Sequence, residues 1–194
     1  MMIVRCAPRL SETVARQTMF EFQPGLSGQI LQLRPLVAAD LEPLSEVAAD
    51  PLIWDQHPDK SRSTHAGFKA FFANALESRG TMVAIDREPQ TIIGCSRFHT
   101  YREPHSDVTI GYTFLSRSHW GGAYNSEMKR LMLDHAFRFV QTVRFLIAEQ
   151  NLRSRRAIEK LGARCVDSEV HQELGIVHLV YQLSRQQYAG TRLK

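Results

Sequence analysis

The sequence is poor in the features that would set it apart from an ordinary folded domain. Its 194 residues hold three cysteines, Cys6, Cys95 and Cys165, odd in number and far apart. With no C-x-x-C spacing they exclude a disulfide framework and a zinc knuckle, and they point to a reducing, cytoplasmic compartment. No apolar run is long enough to span a bilayer. The start, MMIVRCAPRLSETVAR, lacks a secretory apolar core. It is Arg-containing and nearly acid-free, like an organellar transit peptide, but an extended start or loose arm fits it better. The eight histidines include no H-E-x-x-H or H-x-x-E-H spacing, so no metal is expected. Glycine and proline together make up only 19 residues, which excludes collagen-like and low-complexity chains.

What remains is 43% apolar and 23% charged, enough for one core without disulfide or metal. The net charge of +4 is unevenly spread. Residues 1–97 carry 10 basic and 11 acidic side chains, and residues 98–194 carry 14 and 9. Residues 117–164 alone hold 10 and 4, a local +6 that favours an anionic partner. Nucleic acid, an anionic cofactor and a solvated surface all satisfy that count.

The chain shows no repeat or linker. An N-terminal arm is expected over residues 1–27, one domain over 28–185 and a tail over 186–194. Gln29–Arg34 reads as a short strand ending at Pro35. Asp40 is placed to cap a helix carrying Leu41, Leu44, Val47 and Ala48, with Pro43 in its first turn. Phe68, Phe71, Phe72, Ala75 and Leu76 form a second helical stripe, opened by Ser63 or Thr64 and closed by Gly80. Strands follow at Met82–Ile85, Thr91–Thr100 and Asp107–Leu115. The third helix presents Met128, Leu131, Met132, His135, Ala136, Phe139 and Val140 on one face, with His135 read as a core histidine. Val143–Ala148 reads as a central strand. The helix Asn151–Leu161 turns Ser154, Ala157, Ile158 and Leu161 inward and Arg153, Arg155, Arg156 and Lys160 outward, and it stops at Gly162. Two strands, Ala163–Val170 and Ile176–Leu183, complete a mixed α+β sheet of six to seven strands with about four helices.

Between strand 107–115 and the third helix lies SRSHWGGAYN. Gly121, Gly122 and Ala123 let a ligand approach the backbone at a helix N-terminus, where unpaired N–H groups and the helix dipole favour anions. The turn is neither a Walker A loop nor a dinucleotide fingerprint, and a ligand-free connection has the same composition.

Arg117–Lys129, RSHWGGAYNSEMK, resembles motif A of the GNAT acyltransferases, Gln/Arg-x-x-Gly-x-Gly/Ala. Ser118 replaces the first residue, Gly121 is the glycine and Ala123 the last position. Trp120-Gly121, Tyr124 and Ile110-Gly111-Tyr112 resemble the ribosomal-protein N-terminal acetyltransferase branch. Asn151–Gly162, NLRSRRAIEKLG, is similar to the second family signature, N-x-x-S-x-x-A-x-E-K-L-G. The likeness runs from about Gln29 to Leu183.

The resemblance implies the GNAT fold and acetyl-CoA as co-substrate. The N–H groups of Ser118, His119, Trp120, Gly121, Gly122 and Ala123, with Tyr124 beside them, would hold its pyrophosphate. Its pantetheine arm would lie along Thr113, Phe114 and Leu115, splayed from strand 143–148. Asn151 would bond the pantetheine, and Ser154 would lie near the sulfur. Arg117, Arg153, Arg155 and Arg156 stand near the phosphates, or on a solvated helix face. An amine, of a protein N-terminus or a small molecule, would attack the thioester directly. A Thr113, Phe114 or Leu115 N–H would bind the developing oxyanion. Where many relatives carry an acidic Tyr this chain has Ile158, which leaves Ser154 as acid. Where relatives carry a Glu it has Thr109, which leaves Asp107, His99, His105 or His119 as base. Trp54-x-x-His57 is a candidate lid contact. An acyl-CoA-binding module without turnover is the rival reading. A nucleic-acid role lacks a motif or interleaved exposed aromatics. A monomer or homodimer is expected.

Overall fold

The computed structural model describes residues 19–171 and 175–192. Most of the expected arm (1–18, including Cys6) and the centre of the HQELG link (172–174) lie outside the described residues. One eight-stranded sheet forms the frame, in the order β1-β2-β3-β4-β5-β6-β8-β7. Its strands are β1 (Leu26–Ser27), β2 (Leu31–Pro35), β3 (Thr81–Asp86), β4 (Thr91–Arg102), β5 (Asp107–Leu115), β6 (Thr142–Ala148), β7 (Arg164–His171) and β8 (Ile176–Ser184). Among the described residues five α-helices accompany them: α1 (Leu41–Ala48), α2 (His65–Glu77), α3 (Ala123–Ala136), α4 (Leu152–Glu159) and α5 (Arg185–Arg192). The sheet has one strand more than expected because the two-residue β1, at the end of the expected arm, pairs along the edge of β2. The expected tail begins with α5, anchored by the buried Tyr188 and its 2.8 Å bond to Asp134.

The central strands are covered on both faces. Met82, Phe98, Ile110 and Val143 join Met128, Met132 and Ala136 of α3 in one apolar cluster. From the same strands, Val83, Cys95 and Phe114 face the opposite way into a second cluster with Leu44 of α1 and Phe68, Phe71 and Phe72 of α2. The period-2 alternation of a strand makes this division. His135 is buried in the first cluster, its Nε2 2.8 Å from the Glu21 carbonyl oxygen and its ring against Phe20, Phe98 and Phe139. The end of the expected arm, from Phe20 to β1, is therefore packed.

Two local expectations change. Asp40 does not cap α1 with its side chain. Its carboxylate instead accepts from the Val37 N–H at 2.8 Å and from Arg34 at 2.7 and 2.8 Å. Gly80 is not the left-handed residue after α2, since Arg79 holds that conformation at φ +48°. Glycine is needed at 80 because a Cβ there would lie 2.1 Å from the Phe98 carbonyl oxygen.

One junction in the sheet decides the site. Among the described strands β5 and β6 are the only parallel neighbours, because the α3 crossover carries the chain from one to the other. Their ladder spans only Asp107–Thr142, Val108–Val143 and Thr109–Arg144. Beyond it β6 stays paired with β8 through Ala148, while β5 continues to Leu115 beside β4. The two strands therefore part like a V. Within β5, Cys95–Phe114 and Arg97–Gly111 are paired so that three steps on β5 oppose two on β4. The extra residue is Tyr112, at φ +52°, a bulge that re-aims the backbone at the open side of the V.

Candidate active site

A cavity of about 680 Å3 opens at the V. Its walls are Ile110–Leu115 of β5, Phe145–Ala148 of β6, the start of α3, one face of α4, and the segment from Ile53 to Arg62. No acidic side chain is among its described lining residues, whereas Arg62, Lys129, Arg153, Arg156 and Lys160 are. Lys129, Arg153, Arg156 and Lys160, four of the ten basic residues of 117–164, thus line one concavity.

Of the expected ligand-binding residues, Thr113, Phe114, Leu115, Trp120, Gly121, Gly122, Asn151 and Ser154 line this cavity. A Cβ at Gly121 or Gly122 would meet nothing within 4 Å, so the glycines leave room for a group held against the backbone. Gly122 precedes α3 and supplies no side-chain cap, which leaves the first N–H groups of the helix for an incoming anion. Asn151 caps α4 through Oδ1, 3.2 Å from the Ser154 N–H, and its amide NH2 remains as the donor. These features fit a CoA: donors and cations for phosphates, an unpaired strand edge for a pantetheine arm, and a narrow V for the acyl end.

Other expected residues are directed elsewhere. Ser118, His119, Ala123 and Tyr124 are not cavity-lining. The backbone N–H groups of His119 and Trp120 already bond Ser116 and Arg117 carbonyl oxygens at 2.9 and 3.1 Å. Tyr124 donates to Asp86 at 2.6 Å, and His119 lies between Asp86 and Ser118 at 3.3 and 2.9 Å. Arg155 turns away to the Tyr181 hydroxyl and the Glu149 carbonyl, while Arg156 and Lys160, read as outward, line the cavity. The difference is angular, because α4 offers the cavity a wider face than the inward apolar stripe alone. Arg117 pairs with Asp50. Arg153 binds the Ile53 carbonyl at 2.6 Å and lies 4.0 Å over the Trp120 ring, closing one wall.

The candidate bases fare differently. Asp107 lies in the paired root of the V, away from the cavity, buried and held by Arg102 at 2.5 and 2.9 Å. Its place in the ladder, three residues before the first cavity-lining position of β5, accounts for this. We expect Asp107→Asn to lower stability by about 1–2 kcal/mol by weakening the ion pair and to leave the pH–rate profile unchanged; thermal melts and the profile together check this. His99 and His105 are not among the lining residues. His99 packs against Tyr112, and burial, then Arg97, pushes its pKa down to about 4. His57 does line the cavity, but burial, then Arg62, holds it at about 4, so it is neutral near pH 7. Trp54 is itself core, donating from Nε1 to the Ala48 carbonyl at 2.8 Å.

The residue the sequence reading passed over is Lys129. It is 5% exposed and reaches the cavity wall from α3. Its spacing was a usable signal: seven residues after Gly122, with Asn125 and Ser126 between, it continues the glycine turn's own face for two helical turns.

The comparisons agree with this geometry. The family model for the acetyltransferase (GNAT) domain matches residues 31–164. No curated protein matches the chain by sequence. A GCN5-related N-acetyltransferase from Brucella melitensis superposes with a TM-score of 0.78 at 15% identity, over 88% of this chain and 83% of that one. RimJ from Mycobacterium smegmatis, solved with CoA-disulfide, gives 0.63 at 17% identity over 84% and 88%. Spermidine N-acetyltransferase from Vibrio cholerae, solved with CoA and spermine, gives 0.65 at 14% identity over 84% and 99%. With its family match spanning most of the domain and its sheet parting at β5 and β6, the chain belongs to the GNAT acetyltransferase family.

Proposed function

We propose that this protein transfers an acetyl group from acetyl-CoA to a primary amine, an N-terminal amine or a small molecule, by direct attack on the thioester. The observation that carries the proposal is the V itself. One continuous cavity runs from Gly121 and Gly122 to Trp54 and His57, so a long ligand entering at the helix end would present its far end to an acceptor at the loop. In this reading the N–H groups at the start of α3, with Arg156 and Lys160, hold phosphates. Asn151 orients the arm, and the backbone N–H groups beside the Tyr112 bulge stabilise the oxyanion. Ser154 reaches the leaving sulfur. The solved neighbours with CoA, from Mycobacterium smegmatis and Vibrio cholerae, support the choice of co-substrate.

The absence of an acidic side chain from the described lining bears on the acceptor. A polyamine carries several positive charges, and here they would face arginine and lysine with no carboxylate to pair them. An acceptor with one amine, as in the ribosomal-protein N-terminal branch, meets no such penalty. We expect thiol release with N-terminal dipeptide amines to exceed that with spermidine by at least about tenfold in kcat/KM, a difference of about 1.4 kcal/mol. Calorimetry with acetyl-CoA comes first. Binding without thiol release across an amine and peptide panel would favour a binding module, and no binding would remove the reading.

A further inference from the structure

Lys129 has surroundings that a structural lysine does not need. Its Nζ lies 2.7 Å from Thr113 Oγ1 and 3.3 Å from Ser96 Oγ, and the two hydroxyls are 2.7 Å apart. Among the described residues no carboxylate pairs with it. From β4 the titratable neighbour is Cys95, whose thiol burial pushes up to about 12, so it stays neutral. From β5 the facing group is the Thr113 hydroxyl. Among the described lining residues the other charged or titratable groups are the basic Arg153, Arg156, Lys160, Arg62, His57 and His178, and the phenol of Tyr112 on β5. A buried ammonium with no counter-charge is expensive, so the amine sheds its proton at a lower pH than usual. Burial brings it to about 7. An apolar side chain would pack here without that penalty. The amine is instead anchored to Thr113, one residue past the bulge and itself on the cavity wall.

We propose that Lys129 takes up, through the Thr113 hydroxyl, the proton that the acceptor ammonium must lose. The proposal rests on the acetyl-transfer reading above. It fills the place left by Thr109 at the family's Glu position and by an Asp107 that points away from the cavity. The steps balance. The acceptor R–NH3+ gives one proton to Thr113 Oγ1 as the hydroxyl proton passes to the neutral Lys129 Nζ. The freed nitrogen pair forms the N–C bond to the acyl carbon. The C–S bond then breaks with its electrons going to sulfur, and a second proton from the adduct nitrogen reaches the sulfur by way of Ser154. The products are the amide, the CoA thiol and a protonated Lys129, which returns its proton to water when the cavity opens.

The sign of the pH dependence separates this role from its rival. A base is active when unprotonated, so kcat should rise through a limb near pH 7; a cation that steadies the thiolate would make kcat fall over the same range. The test uses the full chain with saturating acetyl-CoA and saturating dipeptide amine. We expect Lys129→Met to lower kcat by at least about a hundredfold, to change acetyl-CoA affinity less than about threefold, and to abolish the limb. Lys129→Arg keeps a charge but cannot deprotonate, so it should not rescue. Rescue by arginine, an unaltered limb in Lys129→Met, or a limb of opposite sign each overturns the proposal. Because Lys129 is one of five lysines, a wild-type protein labelled at lysine Cε gives a readout that needs neither turnover nor a folded variant. One resonance should titrate near 7, well below the range usual for a lysine amine. Five ordinary midpoints would also overturn it. Loss of acetyl-CoA binding by the wild-type protein would instead strike the reading on which the proposal rests.

Discussion

In Gly122→Glu, acetyl-CoA affinity is expected to fall by at least about a hundredfold, or about 2.7 kcal/mol, with the melting temperature nearly unchanged. Gly122 sits at φ −111° in extended backbone, so a side chain is sterically admissible there. Its Cβ would meet no atom within 4 Å, so the fold tolerates it. The added carboxylate would project into a space that, on the present reading, CoA phosphates occupy. Its negative charge would oppose theirs and compete for the same N–H donors of α3. Gly122→Ala adds bulk without charge and should lose far less. Calorimetry on both variants separates the terms, and wild-type affinity in Gly122→Glu would remove the phosphate assignment.

Glu127→Ala is expected to destabilise the domain by about 3 kcal/mol, lowering the melting temperature by roughly 6–12 °C in a chain of this size. The Glu127 carboxylate lies on α3 and accepts three backbone N–H groups, those of Gln29, Ile30 and Leu31, at 2.7, 2.9 and 2.9 Å. Gly28 makes room for it, since a Cβ at 28 would lie 2.4 Å from Glu127 Cδ. Removing the carboxylate leaves three donors at the start of β2 without an acceptor and loosens the strand from the helix behind the site. Burial works against the charge of Glu127, but the three N–H bonds and Arg130 outweigh it and hold the carboxyl below its usual value. A depressed carboxyl pKa stabilises the folded state above the unfolded value, about 4.3, and that contribution is lost as pH falls from there through the folded value. Chemical denaturation between pH 7 and 3 should therefore show a shallower acid loss in Glu127→Ala than in wild type. Equal slopes would show that the carboxylate does not titrate as described.

Much of this was legible along the chain because it depends on spacing within one element. The Phe68, Phe71 and Phe72 stripe marks α2 by its helical period, and all three are buried. Thr64 opens that helix, its Oγ1 accepting from the Gly67 N–H at 3.1 Å. Gly162, at φ +91°, stops α4 because few other residues accept that conformation. Gly121, Gly122, Asn151 and Ser154 fall on the cavity because the two motifs lie next to helix N-termini, and a helix start dictates where its backbone donors point.

What sequence could not supply were relations between elements far apart in the chain. The charge run at 153–160 shows only that α4 is basic. Whether Arg155 or Arg156 faces the cavity depends on how α4 rolls against β8, where the Tyr181 hydroxyl takes Arg155. Asp107 shares a strand with the site residues, yet it lies below the point where β5 and β6 part, and that point is set by the crossover and by β6 pairing with β8. Lys129 reads locally as one more polar residue of a helix. It is the sheet beneath α3, with Thr113 and Ser96 turned towards it, that buries the amine without a counter-charge. Local periodicity and capping thus determined the elements and the glycine turn at the start of α3. Desolvation and partnership, which arise only when distant segments pack, decided which of the charged side chains can carry chemistry.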